Sequence, residues 1–263
     1  MKSIIKTLAL AGIISLSIIS CKKNDLQQQQ DPVSQEVLTQ IHNQGFSTSN
    51  VQKIDEGYLV EGDIILTNAS LSEVTSSPKL RIAEVEQYNT FNLVNNPRSI
   101  SVSVSGSVST AFSGAVNGAI ARYNAQNLTL TFQRVSSGGN INIRIVNTGQ
   151  YIASSGFPSS TGQPYNEVKY AKKYTNYSAG FMTTVIAHEM GHCIGFRHTD
   201  YMNRSYSCGT GGNEGQETTG VGAVHIPGTP TGPDAASWML ACLSSTTNRP
   251  FNNNDITALK YLY

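Results

Sequence analysis

Charge is what this sequence has least of. Among 263 residues, 18 Lys or Arg and 17 Asp or Glu make 13% of the chain, against roughly 25% in an average soluble domain. The near balance, net +1, and the lack of any basic block exclude an electrostatic nucleic-acid footprint. Long apolar runs are also scarce, and beyond the amino terminus no stretch is long and apolar enough to cross a membrane. An apolar fraction of 39% excludes wholesale disorder, and the length gives one large domain or two small ones an ample core. Ser, Thr, Asn and Gln fill the place of the missing charge, a surface suited to life outside the cytoplasm. Of the five histidines, three (His188, His192 and His198) crowd into eleven residues.

Lys2 and Lys6 precede an apolar run from Leu8 to Ile19 that ends at Ile18-Ile19-Ser20-Cys21. A basic start followed by an apolar stretch of this length reads as a secretory signal over residues 1–20. Its ending resembles the lipobox of bacterial lipoproteins. That resemblance implies a lipidated Cys21 and a membrane-anchored protein of the cell envelope, at the outer membrane or cell surface; the other reading is a soluble secreted protein. Two acyl chains anchor stably, at about 0.8 kcal/mol per buried methylene. Cys193, Cys208 and Cys242 remain, and three cannot all pair within one chain. Any of three couplings is open; Cys208 with Cys242 is favoured because both lie outside the histidine-bearing helix described below.

Residues 21–32, with four consecutive glutamines, read as a solvated tether, and 33–97 as an amino-terminal unit and linker. Within that unit Val33, Val37, Leu38 and Ile41 share a helical face that Gly45 would close. Tyr58-Leu59-Val60 and Ile64-Ile65-Leu66 read as strands around an Glu61-Gly62-Asp63 turn. Residues 76–97 lack periodicity. From Ser99 the pattern predicts strand, helix, three strands and a second helix from about Ser178 to Ile194. Tyr151 to Pro164 reads as a loop, and a terminal helix carries Ile256, Leu259 and Leu262.

The second helix contains His188-Glu189-Met190-Gly191-His192. Spacing i to i+4 puts both imidazoles on one face, about 6 Å apart, suited to one metal ion. Glu189 projects from nearly the same side, where it can take a proton from water without being a ligand. Gly195 can stop the helix in the left-handed conformation and turn the chain back, so that His198 supplies a third nitrogen. Three neutral ligands leave a fourth position open, the pattern of catalytic rather than structural zinc.

With this extended motif the sequence resembles the metzincin zinc peptidases, over roughly residues 98–263. Ser237-Trp238-Met239 fits their methionine turn, with Met239 as an apolar floor under the metal. Residues 188–200 are most similar to the dual-action HEIGH metallopeptidases of bacteria, with Met190 in place of isoleucine; Gly195-Phe196 is also found in astacins. The resemblance implies an α+β fold: a twisted mixed β-sheet, an active-site helix and a mostly irregular carboxy-terminal subdomain. It implies a Zn2+-dependent endopeptidase acting on proteins or peptides, with Glu189 as general base. The alternative class is a binding or adhesion lipoprotein that keeps the metal without turnover. Astacins carry a tyrosine two residues after the turn methionine; Ala241 stands there. Tyr201, near the third histidine, reads as a surface tyrosine, and His225 and His42 as uninvolved. Asp200 can anchor the loop after His198 by backbone hydrogen bonds; calcium binding is open there, or in the Gly-rich loop with Asn213 and Glu214.

Val60-Glu61-Gly62-Asp63-Ile64 resembles the astacin propeptide motif that places an aspartate on the zinc. Carried over, Asp63 fills the open position until the segment is cut away, at Lys79, Arg81 or Arg98, which would make the chain a zymogen. The other reading is a Gly-Asp turn between strands.

Overall fold

The computed structural model describes residues 32–72, 87–210, 224–230 and 233–263. Helix α1 (Gln35–Asn43) is capped by Ser34, whose side chain accepts from the Val37 amide. Strands β1 (Gln52–Ile54), β2 (Gly57–Val60) and β3 (Ile64–Thr67) form an antiparallel sheet that leads into α2 (Asn68–Ser72). Ile41, Phe46, Val60, Ile64, Leu66 and Leu71 make a small core of their own, and Phe157 packs against it from the larger body.

The segment 87–97, aperiodic in sequence, is built into the fold. Its short strand β4 (Tyr88–Asn89) pairs with a late one, β10 (Val224–His225), and touches the metal loop through an Asn89–Phe196 bridge. The body begins with β5 (Arg98–Ser105), then α3 (Thr110–Asn124), β6 (Leu130–Arg134), β7 (Ile141–Val146), β8 (Ala153–Ser154) and β9 (Glu167–Ala171). The twisted mixed sheet runs β6-β5-β7-β9-β8, parallel throughout except for β8 at the edge. The alternation Ile100, Val102 on β5 and Ile141, Ile143 on β7 turns these side chains into one core, where they are fully buried.

Helix α4 (Ala179–Ile194) packs against α3. Every residue from Phe181 to Ile194 is buried, which is why the helix reads as apolar nearly all round. Tyr123 of α3 ties the two together by donating to the Ala187 carbonyl at 2.7 Å. Ser178 caps α4 by accepting from the Phe181 amide, a contact of about 1 kcal/mol. Beyond it the chain is mostly irregular, with α5 (Ser205–Cys208), β10 and the terminal α6 (Asn253–Leu262). Cys208 and Cys242 are joined in a disulfide, and Cys193 is buried as a free thiol.

Two expectations change. The stretch 151–164 is not all loop, because Ala153 and Ser154 form the sheet-edge strand β8; two residues are too few to display alternation. Tyr201 is not on the surface: it is 2% exposed, with its ring 4.2 Å from that of Tyr88. Among the described residues no helix is long and apolar enough to cross a membrane. Residues 1–31, including Cys21, lie outside the described residues, as do Lys79, Arg81, Asn213 and Glu214.

Candidate metal centre

The centre is assembled at the end of α4. His188 and His192, one turn apart, bring their Nε2 atoms within 3.1 Å of each other. Gly195, at φ 113°, closes the helix in a conformation that side-chain-bearing residues rarely adopt. The chain then doubles back and returns His198 to the same point, its ring 5.3 Å from His188 and 4.9 Å from His192.

Backbone carbonyls fix the orientation of the first two rings. His188 Nδ1 lies 2.8 Å from the Trp238 carbonyl and His192 Nδ1 lies 2.7 Å from that of Phe196. A carbonyl only accepts, so each Nδ1 carries a proton, and both Nε2 atoms face inward. Burial, and the neighbouring imidazoles His188 and His198, push His192 well below the ordinary histidine range and keep it neutral. A neutral imidazole is the form that ligates.

Asp63 completes the group. Its Oδ2 is 3.1 Å from His198 Nε2 and 3.7 Å from His188 Nε2. One donor atom from each of Asp63, His188, His192 and His198 fits within a span of 4.8 Å. Burial alone would raise the Asp63 carboxyl, but His198 and His188 outweigh it and hold the group well below the usual carboxylate range. Its Oδ1 is buried and accepts no hydrogen bond among the described residues. Three inward nitrogens, an anionic oxygen and an unsatisfied carboxylate atom suit a zinc ion, which takes nitrogen and oxygen donors in tetrahedral array.

Glu189 lies beside this group and outside it. It is 2% exposed, and its Oε2 accepts from Ser155 Oγ at 2.7 Å. Burial pushes Glu189 well above the usual carboxylate range, the Asp63 charge adds to this, and the Ser155 bond pulls the other way. Met239 sits under α4, where a Cβ on Gly191 would come within 2.6 Å of its sulfur. Only glycine permits that approach. The Met239 carbonyl accepts from the Thr199 amide at 3.0 Å, which ties the methionine turn to the residue after the third histidine.

Asp200 anchors its loop, accepting from the Ala241 amide at 3.0 Å and from Ser207 Oγ. Ala241 thus contributes its backbone where astacins carry a tyrosine. His225 lies outside the centre, half-buried and 3.1 Å from Thr229 Oγ1. Arg98 reaches the Gln163 side chain at 2.6 Å. Ser155, the Trp238 carbonyl and Phe157, whose ring lies 5.4 Å from His192, carry no sequence signal of their own. They come together only through β8 and the methionine turn.

Three buried imidazoles around one point, with a non-ligating carboxylate on the same helix, define the site of a zinc metallopeptidase. The family pattern described as Dual-action HEIGH metallo-peptidase matches residues 58–263, and the chain belongs to that family. Two solved structures of myroilysin are similar to it. One is 16% identical, with a TM-score of 0.42, over 65% of this chain and 82% of that one. The other is 13% identical, with a TM-score of 0.40, over 74% and 95%. No curated protein matches.

Proposed function

We propose that the protein is a zinc endopeptidase, exported and anchored through a lipidated Cys21, whose amino-terminal unit holds it latent. The observation that carries the endopeptidase reading is the path of residues 60–67 through the centre. The Ser155 amide donates to the Asp63 carbonyl at 2.8 Å, and the Ile65 amide donates to the Ser155 carbonyl at 2.6 Å. Extended backbone thus adds to the sheet edge beside the donor cluster, a general mode of peptide recognition. The chain continues on both sides of Asp63, as cleavage of an internal bond requires.

His188, His192 and His198 would hold a zinc ion, which when bound would supply a Lewis acid and lower the pKa of a water. Glu189 accepts the proton as water attacks the peptide carbonyl and passes it to the leaving amine. Ser155 fixes the carboxylate for that transfer and lines the edge on which the substrate lies. Asp63 supplies a competing oxygen ligand, which the substrate gains access to replace when the unit departs. A cut within 73–86, where Lys79 and Arg81 stand, separates the unit from the catalytic body. It also parts that body from Cys21.

The test is incubation of the purified chain, before and after limited trypsin treatment, with mixed peptides in the presence and absence of a chelator. Internal cleavage products that disappear with chelator and return with zinc support the reading. Product-free digests from zinc-loaded, trypsin-treated protein contradict it.

A further inference from the structure

The turn that brings Asp63 to the histidines carries a second carboxylate. Glu61 and Gly62 both have positive φ, 54° and 92°. The Glu61 side chain has no exposure, and both of its oxygens lie within 3.1 Å of Arg197 Nη2. Arg197 directly precedes His198. Its guanidinium also donates to the Gly45 carbonyl at 3.0 Å and lies 4.4 Å from the Phe46 ring centre. These contacts all belong to the amino-terminal unit. Arg204 adds a hydrogen bond to the Glu61 carbonyl.

The same pattern recurs farther along the sheet. Glu56, in the turn between β1 and β2, pairs with the nearly buried Lys169 of β9 and lies 3.8 Å from Arg144 of β7. In a chain with so little charge, the unit meets the body with Glu56 and Glu61 against the buried Lys169 and Arg197, while the more exposed Arg144 keeps a closer partner of its own in Glu167 at 2.7 Å. A surface that holds an acidic cover by buried cations is left electropositive when the cover departs. Beside Arg197 lies a cavity of about 410 Å³, with Phe157 and Tyr165 from the body among its walls.

We propose that Arg197 is a specificity-determining residue and that the substrates are peptides bearing a carboxylate side chain within a few residues of the scissile bond. The substrate carboxylate takes the place of Glu61 on the guanidinium. The proposal rests on the reading above, in which the amino-terminal unit covers the cleft and leaves it.

The experiment uses the full zinc-loaded chain after limited trypsin treatment. Peptides identical except for one Glu or Gln, walked across the positions around the cleaved bond, are compared by kcat/KM. The expected result is a preference of about tenfold or more for Glu at one position, as for charge-assisted recognition. Arg197→Gln should bring that ratio close to one, and Arg197→Lys should keep part of it. Equal rates for Glu and Gln peptides at every position with the unsubstituted protein overturn the proposal, whatever the variants do. If no peptide is cleaved, the peptidase reading fails, and fluorescence anisotropy of the same labelled peptides decides the Arg197 site separately. Tighter binding of the Glu peptide, about tenfold, supports it; equal affinities overturn it.

Discussion

The Trp238 carbonyl accepts from His188 Nδ1 at 2.8 Å, while the Trp238 amide donates to the Asp255 carboxylate at 3.1 Å. The backbone of one residue therefore links the first zinc-binding imidazole to the amino-terminal cap of the last helix. Asp255 also accepts from Gln87 Nε2 and Ser237 Oγ, both at 2.8 Å, and from the Asn252 amide at 3.0 Å. The methionine turn is held from below by a side chain that no metal-site motif would select.

That carboxyl makes stability depend on pH. Burial raises Asp255 from 3.8 to about 7, against the pull of its hydrogen bonds. Between about pH 4 and 7 the folded state holds a proton that the unfolded chain has lost, so stability falls as pH rises through this window. The contribution is on the order of 1.4 kcal/mol per pH unit. Urea unfolding at pH 5 and pH 8 should show the unsubstituted protein losing about 2–3 kcal/mol relative to Asp255→Asn. Parallel pH profiles for the two proteins would contradict the assignment.

Gly191→Ala should damage the centre without touching a ligand. The added carbon would meet Met239 sulfur at 2.6 Å and Trp238 Nε1 at 3.1 Å. Overpacking of this kind costs about 1–3 kcal/mol, a fall of several degrees in Tm for a domain of this size. Calorimetry of the zinc-loaded protein checks it, and an unchanged Tm argues against close packing of Met239 beneath the helix.

Ser155→Ala removes the hydrogen bond to Glu189 and leaves the histidines in place. The expected result is a fall in kcat of about tenfold, the value of one positioned hydrogen bond at a charged group, with zinc content unchanged. Full kcat in the variant would place the control of Glu189 elsewhere.

Asp63→Ala should give activity in the uncut chain, because the carboxylate that competes for the metal position is gone even though Glu61 still pairs with Arg197. Peptide hydrolysis before any protease treatment is the readout. An inactive uncut variant would contradict latency through Asp63.

The metal helix was legible because its signals are local. Ser178 and Gly195 mark its ends, and the histidine spacing puts both rings on one face. The hairpin around Glu61-Gly62-Asp63 and the alternating strands β5 and β7 were legible for the same reason. What could not be read is long-range. Ser155 lies 34 residues from Glu189, and Glu61 lies 136 residues from Arg197. Tyr201 is buried because β4, which has only two residues and no periodicity, brings Tyr88 against it. Such contacts depend on tertiary packing, which spacing and alternation do not encode.

Everything proposed for the centre turns on Glu189 moving the proton in a zinc-dependent peptide hydrolysis. The most direct test compares Glu189→Gln with the unsubstituted protein, both loaded with zinc and treated with trypsin, for metal content and peptide cleavage. Equal zinc content and a loss of turnover of about 10²–10⁴-fold are expected. Undiminished cleavage by the variant would contradict that role of Glu189.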